Sequence, residues 1–384
     1  MRLRAGHHLA YSTNAHPGET WDETFNALEQ KTLAVRAAVA PNESFGIGLR
    51  LSDRASRELI EPRTLAGFRR WLETNDSYVF TINGFPFGKF HGGPVKEQVF
   101  APDWTTSARL DYTNRLFHIL AALLPDDCEG SVSTLPGSFK EFATGEGQIE
   151  AICLNLCRCV DHIAVLSEKY GRQLHLGLEP EPFGFFENTS ETLRFFERLQ
   201  SWRPADNHLA RHLGVNYDAC HFAVEYEEPG KSLSALRAAG IRISKLHLSS
   251  ALRLAPVSES TALLRPFADQ VYLHQVIART DAGDLHRYKD LPLALANSEP
   301  AAEWRIHFHV PLFAELDKPL GTTSDHVLGL LDWLAATPSA CSHLEMETYT
   351  WEVLPKHLRS AGLVDKLTRE YEWTLTRLVE RKLA

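Results

Sequence analysis

The feature that most constrains the fold of this chain is a short apolar strand pattern that ends in carboxylates and is followed by a helical pattern. It is clearest in RQLHLGLEPEPFGFFENTSETLRFF, residues 172–196. Successive strand residues point to opposite faces of a sheet, so the leucines occupy one face and Glu179 ends the other. The leucine face holds Leu174, Leu176 and Leu178, and the opposite face holds His175, Gly177 and Glu179.

The same alternation recurs downstream, and ionisable residues again close each strand. The closing residues are Asp218 in RHLGVNYDACH, His247 in RISKLHLSS, His307 and His309 in WRIHFHVPL, and Glu345 and Glu347 in SHLEMETYTW. A single strand of this type would fit an antiparallel sheet with one solvated face. However, the polar positions carry Glu, Asp and His in place of Thr, Lys and Ser, and several strands precede long helical patterns. This combination favours parallel βα units.

Repeated βα units predict an α/β fold, a (β/α)8 TIM barrel in which apolar positions face the helices and the other parity faces the axis. Ionisable groups at the strand ends then meet at the carboxyl-terminal mouth. The chain has 384 residues, more than the roughly 250 typical of one such barrel. We therefore expect one domain, residues 1–384, with enlarged loops.

One stretch interrupts the regular repeat. Residues 249–310 contain QVYLHQVIART, a DAGD turn, YKDLPLALA and EWRIHFHVPLF, which together give more strand than an eight-fold barrel needs. We interpret this stretch as an insertion after the seventh strand, the strand of His247. Its last strand would bring His307 and His309 back over the mouth.

Composition excludes some classes of function. The formal net charge is −9 and the chain has no basic run, so we expect no nucleic-acid partner. No apolar run approaches the roughly 20 residues of a membrane span. The first residues lack the apolar core of a secretory signal, which predicts a cytoplasmic protein. The sequence leaves the oligomeric state open.

The cysteines fit a structural role. Six cysteines are too few for a disulfide scaffold in a chain of this size. Cys153, Cys157 and Cys159 cluster, but they lie among apolar residues at helical spacing. This spacing favours packed thiols over a metal or redox cluster.

Four strand ends supply a candidate metal site. Glu179, Asp218, His247 and Glu347 each end one strand on the same parity. Mixed carboxylate and imidazole donors suit Mn, Mg, Zn or Fe and leave positions open for substrate oxygens. The alternative is that buried His and Glu residues satisfy one another by hydrogen bonds. The recurrence of such donors on several strands favours the metal site.

Further polar residues are candidates for substrate binding. Two residues separate Asp218 from His221, which at a strand end places both near one ion. His307 and His309 share one strand face and would hold a second ion or grip substrate. Lys245 and Glu345 share the parity of the metal ligands, and Glu345 competes with Glu347 for the last ligand position. The remaining candidates are His16, after the first strand, and Asn83, which precedes a long loop rich in glycine and aromatic residues. Such a loop over a barrel mouth often touches ligand, although its glycines equally fit turns.

The residues also carry a family resemblance. LGLEP (176–180), NYDACH (216–221), KLHLS (245–249) and LEMET (344–348), in this order, resemble the xylose-isomerase-like barrels. That superfamily includes sugar isomerases, ketose 3-epimerases and the endonuclease IV group. The resemblance to the epimerase branch implies that Glu179, Asp218, His247 and Glu347 bind one divalent metal ion. It also implies that the two glutamates exchange protons with the substrate carbon and that His221 contacts a substrate oxygen.

A narrower resemblance covers nearly the whole chain. NAHPGETW (14–21), NGFPFGKFHG (83–92), VKEQVFAPDW (95–104), STLPGSFK (133–140) and LEMETYTW (344–351) resemble the EboE family, described as metabolite traffic proteins. One departure concerns the superfamily pattern, because HLSSALRL (247–254) lacks the Asp or His that many members place shortly after the seventh-strand histidine. His307 or His309 would have to replace it.

These observations predict metal-assisted proton transfer next to a carbonyl group, with Glu179 and Glu347 as general base and acid. The expected substrate is a sugar or cyclitol-like polyol. Two alternatives remain open. A multi-zinc phosphoesterase of the endonuclease IV-like branch would need a second set of histidines, and a non-catalytic metabolite-binding or transport-associated protein would need no reaction at all.

Overall fold

Eight parallel strands form a closed barrel in the spatial order β1-β13-β7-β6-β5-β4-β3-β2. The computed structural model describes residues 1–203, 207–255, 260–296, 300–355 and 362–384. The barrel strands are β1 (His8–Ser12), β2 (Phe45–Arg50), β3 (Ser77–Asn83), β4 (Gly130–Thr134), β5 (Leu174–Leu178), β6 (Leu213–Asp218), β7 (Arg242–Leu248) and β13 (His343–Met346). The predicted (β/α)8 fold is confirmed.

Helices surround the barrel wall. They are α1 (Trp21–Ala27), α2 (Leu33–Val39), α3 (Asp53–Leu59), α4 (Pro62–Thr74), α5 (Ser107–Leu123), α6 (Glu146–Tyr170), α7 (Thr189–Trp202), α8 (Asn207–His212), α9 (Ala219–Val224), α10 (Pro229–Ala238), α12 (Ser324–Ala336) and α13 (Leu363–Glu380). Thr20 and Glu23 form a capping box at the start of α1, as their spacing predicts. Pro62 begins a new helix, so that α3 and α4 are separate elements.

Side chains of the barrel strands alternate as the sequence predicts. Leu174, Leu176 and Leu178 of β5 are fully buried in the apolar core. On the opposite face, a Cβ atom at Gly177 would lie 3.1 Å from the Cβ atoms of Asn216 and Ser244, which belong to the next two strands. This face is directed toward the barrel axis, where side chains of successive strands meet.

A second sheet lies between β7 and α12. It contains β8 (Ser250–Leu254), β9 (Val276–Arg279), β10 (Leu285–Tyr288), β11 (Glu303–Val310) and β12 (Leu320–Thr322), in the order β10-β9-β11-β8-β12. All its pairings are antiparallel, and β11 pairs with β8 and β9. The sheet extends to Thr322, beyond the predicted boundary at residue 310. Residues 291–296, expected to add strand, instead form α11 (Leu291–Ala296), because Pro292 has no N–H to donate to a sheet.

Two further sequence predictions concern composition. All six cysteines are free thiols buried in the protein, and burial raises the pKa of Cys153 to about 11. In the described part of the chain, no helix combines the length and apolar character needed to cross a membrane.

Candidate metal centre and active site

Four strands direct the predicted metal ligands into one cluster at the carboxyl end of the barrel. Glu179 follows β5, Asp218 ends β6, His247 lies near the end of β7, and Glu347 follows β13. All four side chains are buried, and one donor atom from each lies within 4.8 Å of the others. The Nδ1 atom of His247 is 3.2 Å from Glu179 Oε1, 3.4 Å from Asp218 Oδ2 and 3.0 Å from Glu347 Oε2.

Hydrogen bonds hold the other oxygen of each carboxylate. Asn216 donates to Glu179 Oε2 at 2.7 Å, and the Ser249 hydroxyl donates to Asp218 Oδ1 at 2.7 Å. Each carboxylate therefore keeps a second oxygen directed at the cluster. Within the described residues, Asp218 Oδ2 has no hydrogen-bond partner.

Two asparagines orient Glu347 in the same way. Asn14 and Asn83 donate to Glu347 Oε1 at 3.1 and 2.9 Å. The structure thus places Asn83, predicted as a substrate-binding residue, against the last carboxylate of the cluster. Asn14 has the same role. The sequence provided no reason to single it out, because its neighbours also follow the first strand.

Electrostatics in the cluster reflects an excess of buried carboxylates. Burial opposes a proton on His247, but the carboxylates of Glu347 and Glu179 outweigh burial and raise the pKa of His247 well above its ordinary value. Burial also raises the pKa of Glu347. Burial acts against the charged form of Asp218 too, yet His221 and His247 hold its pKa well below the ordinary value. Three carboxylates around one imidazole form a pocket in which positive charge is stabilised.

Lys245 and Glu345 lie behind the cluster. Lys245 Nζ donates to Glu345 Oε2 at 2.5 Å and to Ser133 Oγ at 3.1 Å. The same Glu345 oxygen is 3.2 Å from Nε2 of His247, on the side of the ring away from the cluster. Burial would raise the pKa of Glu345, but Lys245 and His247 outweigh it and lower the pKa to about 2. Glu345 is therefore an anion that orients the His247 ring, the usual arrangement behind a metal-ligating histidine.

A cavity opens beside the cluster. Its polar floor contains Asn14, Asn83, Glu179, His221, His307 and Glu347. Neither Lys245 nor Glu345 lines it. His16 lines a separate, smaller cavity beside Arg50, and its Nε2 lies 2.5 Å from the Tyr11 hydroxyl. The structure thus separates these three predicted substrate-binding residues from the main cavity.

Three histidines form a second cluster next to the first. Nε2 of His307 lies 3.1 Å from Nε2 of His221 and 3.2 Å from Nε2 of His309. The Nδ1 atoms face acceptors: Pro180 O at 3.0 Å from His221, Gln275 Oε1 at 2.7 Å from His307, and Glu347 O at 2.6 Å from His309. Each acceptor takes a hydrogen bond from an Nδ1–H group, and the Nε2 atom of each ring points into the cluster.

Burial acts on two histidines of this second cluster. It lowers the pKa of His307 well below the ordinary value and also lowers the pKa of His309. Asp218, Glu181 and Cys220 each lie close enough to add a further ligand atom. Neutral imidazole is the form that binds metal ions.

Sequence analysis missed some residues of this region. Gln275 donates to Glu181 Oε1 at 3.2 Å and to Pro182 O at 2.9 Å, which turns its carbonyl oxygen toward His307. Glu181 lies two residues after Glu179, and this spacing was the available signal for it. Gln275 belongs to the inserted segment, and its sequence neighbours carry no comparable signal.

Comparison with known proteins supports the fold. No protein-family model and no curated protein matches the chain. Similar solved structures include L-ribulose 3-epimerase, with 13% identity, coverage of 100% of this chain and 96% of that one, and a TM-score of 0.51. They also include the IolI protein with a bound zinc atom (11% identity, coverage 98% and 99%, TM-score 0.49). A xylose isomerase domain containing protein from Salmonella typhimurium LT2 matches with 11% identity, coverage of 99% of both chains and a TM-score of 0.44. The chain shares the barrel fold of L-ribulose 3-epimerase.

Proposed function

We propose that this protein is a metal-dependent isomerase or epimerase of sugar-like or cyclitol-like polyols. The observation that carries the proposal is the convergence of one free oxygen from each of Glu179, Asp218 and Glu347 on Nδ1 of His247. L-ribulose 3-epimerase has the same fold, and its name describes a reaction of this class. Membership of the EboE family is part of the proposal and rests on the sequence motifs.

The donor set fits a divalent cation. Mn, Mg, Zn and Fe all accept mixed carboxylate and imidazole ligands. Asp218 Oδ2 is fully buried and lies 3.4 Å from His247 Nδ1 without a hydrogen bond to any residue that the structure describes, and a buried carboxylate oxygen without a hydrogen bond is costly unless a cation binds it. A divalent ion held by Glu179, Asp218, His247 and Glu347 would polarise the carbonyl and neighbouring hydroxyl oxygens of a substrate.

Glu179 and Glu347 are suited to move the proton. They follow β5 and β13, which β6 and β7 separate in the barrel wall, so the two carboxylates enter the cavity from different sides. One removes the proton from the carbon next to the carbonyl group, and the other returns a proton to that carbon or its neighbour.

The test measures bound metal and proton exchange together. Wild-type protein loaded with Mn²⁺ or Zn²⁺ should retain at least one ion per chain by mass spectrometry of the metals. It should also exchange solvent deuterium into a ketose or inosose substrate. His247→Ala and Glu347→Gln should lose the ion. Glu370→Gln is the matched control, because Glu370 is equally buried but bonds the Leu312 amide and the Thr348 hydroxyl.

The outcomes separate the alternatives. Retention of metal in both His247→Ala and Glu347→Gln would refute the ligand set. A protein that binds polyols without deuterium exchange would be a metabolite binder, as the resemblance to metabolite traffic proteins allows. Loss of metal only in Glu345→Gln would move the last ligand two residues upstream.

A second candidate function is supported by the three-histidine cluster. The Nε2 atoms of His221, His307 and His309 face one another with each Nδ1 already bonded, which suits a second cation. A multi-zinc phosphoesterase requires such a second set. Two or more ions per chain, with hydrolysis of bis(p-nitrophenyl) phosphate that His307→Ala abolishes, would favour the phosphoesterase. One ion with proton exchange favours the isomerase.

A further inference from the structure

Part of the wall of the main cavity is aromatic. The ring centroids of Phe90, Tyr272 and Tyr349 lie 5.1 Å (Phe90 to Tyr272), 5.2 Å (Phe90 to Tyr349) and 5.1 Å (Tyr272 to Tyr349) apart. The three rings come from separate parts of the chain: the loop after β3, the insertion, and the segment after β13. Three segments thus meet to form an apolar part of the cavity wall.

Other apolar side chains extend this wall. Phe85, Val95 and Val99 of the loop after β3 line the cavity, and so does Leu273 of the insertion. The cavity lining therefore combines two unlike sets of side chains, one of carboxylates, histidines and asparagines and the other of aromatic and aliphatic groups.

Positive charge is scarce in the cavity. Among the lining residues that the structure describes, Lys96 is the one lysine or arginine. Its Nζ atom is already 2.7 Å from Asp290 Oδ2 and 3.2 Å from Asp269 O. Lys96 is therefore committed to an ion pair that fastens the loop to the insertion.

Arg109 and Arg50 lie outside the lining of the cavity. Arg109 Nη1 donates to the carbonyl oxygens of Gly84 at 2.7 Å and Phe85 at 3.0 Å. Arg50 Nη1 donates to Gly18 O at 2.5 Å. Phosphate recognition relies on free arginine or lysine donors, or on a helix N-terminus. In the described residues, the cavity offers a phosphate group no uncommitted arginine or lysine.

We infer that the substrate of the proposed site has an oxygen-rich head and an uncharged apolar substituent, aromatic or alkyl, and that it is not a sugar phosphate. The inference rests on the proposed function, because the metal ligands fix the end at which the oxygen-rich head binds. The aromatic wall then contacts the substituent and removes it from water. Burial of a phenyl-sized group contributes enough free energy to strengthen binding by at least about tenfold.

The test compares matched ligands on metal-loaded wild-type protein by calorimetry. The probes are a free ketohexose and an inosose, the phosphate ester of each, and a set of mono-O-benzyl ethers of each. We expect at least one benzyl ether to bind at least about tenfold more tightly than its parent. We expect each phosphate ester to bind no more tightly than its parent.

Two variants of the same loop locate the effect. Phe90→Ala should bring the ratio of benzyl-ether affinity to parent affinity close to one, because it removes a ring of the wall. Phe87→Ala is the matched control, since the Phe87 ring packs 5.0 Å from Tyr112 and lies outside the lining. The ratio in Phe87→Ala should stay at the wild-type value.

The outcomes distinguish this inference from the proposed function. A protein that binds metal but prefers the parent polyol or its phosphate overturns the inference alone. An unchanged ratio in Phe90→Ala overturns the assignment of the aromatic wall. A protein that binds no metal overturns the proposed function, and the inference fails with it.

Discussion

At the scale of single residues, the candidate site depends on what each buried polar atom bonds. Glu345 and Glu347 share one face of their strand, and sequence parity could not choose between them. The structure separates them by their partners, since Glu345 bonds Lys245 and His247 Nε2, whereas Glu347 faces His247 Nδ1. A separation of two residues along the chain thus places Glu345 on the Nε2 side of the His247 ring and Glu347 on its Nδ1 side.

Glu370 provides a test of a buried carboxylate outside the cluster. Burial raises its pKa to about 7, although it accepts hydrogen bonds from Leu312 N at 3.0 Å and Thr348 Oγ1 at 2.7 Å. The folded protein therefore binds one more proton than the unfolded chain between the ordinary glutamate pKa and about pH 7. The stability associated with protonated Glu370 is complete below that window and is lost as pH rises through it.

Glu370→Gln should consequently stabilise the protein more at pH 8 than at pH 4.5. Raising the pKa of Glu370 from the ordinary glutamate value to about 7 corresponds to a free energy of about 3 kcal/mol. This is the expected difference between the stabilisation at pH 8 and that at pH 4.5. Urea unfolding of wild type and variant at both pH values measures it. Glu372→Gln, an exposed residue of the same helix, should show no such pH dependence. An equal stability change at the two pH values for Glu370→Gln would contradict the raised pKa.

At the scale of elements, the two-residue alternation of apolar and polar side chains predicted the strands and their faces reliably. Alternation at β5 predicted both the buried leucine face and the position of Glu179, because strand periodicity and barrel geometry leave one arrangement. The break between α3 and α4 at Pro62 and the helix at residues 291–296 were not predicted. Both depend on a proline within a segment whose apolar pattern alone suggested a continuous element.

Leu176 tests the assignment of strand faces. It is fully buried between the barrel and the helices, so Leu176→Ala should destabilise the protein by about 2–5 kcal/mol. Leu154→Ala is the control, since Leu154 of α6 is 43% exposed and should change stability far less. Denaturant midpoints measure both. Equal effects of the two substitutions would mean that the leucine face of β5 is not part of the core.

At the scale of the molecule, the barrel and the second sheet build the cavity together. The barrel could be predicted from repeated local patterns, but the position of the inserted sheet could not, because it depends on contacts between distant segments. Tyr272, Gln275 and His307 all reach the site from the insertion. Their roles depend on how the inserted segment packs against the barrel. A local sequence pattern does not predict this packing.

Arg287 of β10 is a principal link between the insertion and the barrel. Its guanidinium lies 2.6 Å from Glu187 Oε2 and 2.5 Å from Glu225 Oε2, and both glutamate side chains are almost fully buried. Burial raises the pKa of Glu225 to about 7 even with Arg287 beside it. Removing the guanidinium would therefore leave two buried carboxylates without this cation, although Glu187 keeps Lys140 as a partner.

Arg287→Met should loosen the insertion while the barrel stays folded. Breaking a buried ion pair by removing one partner costs about 3–5 kcal/mol, and the partial exposure of Arg287 places the expected cost near the lower end, at about 3 kcal/mol. Hydrogen exchange should rise in β9 to β11 and remain unchanged in β4 to β6. Arg265→Met, at an exposed position of the same insertion, is the control and should leave exchange at the wild-type level. Uniformly increased exchange across barrel and insertion would show instead that the two unfold as one cooperative unit, because local opening free energies would then equal the global one.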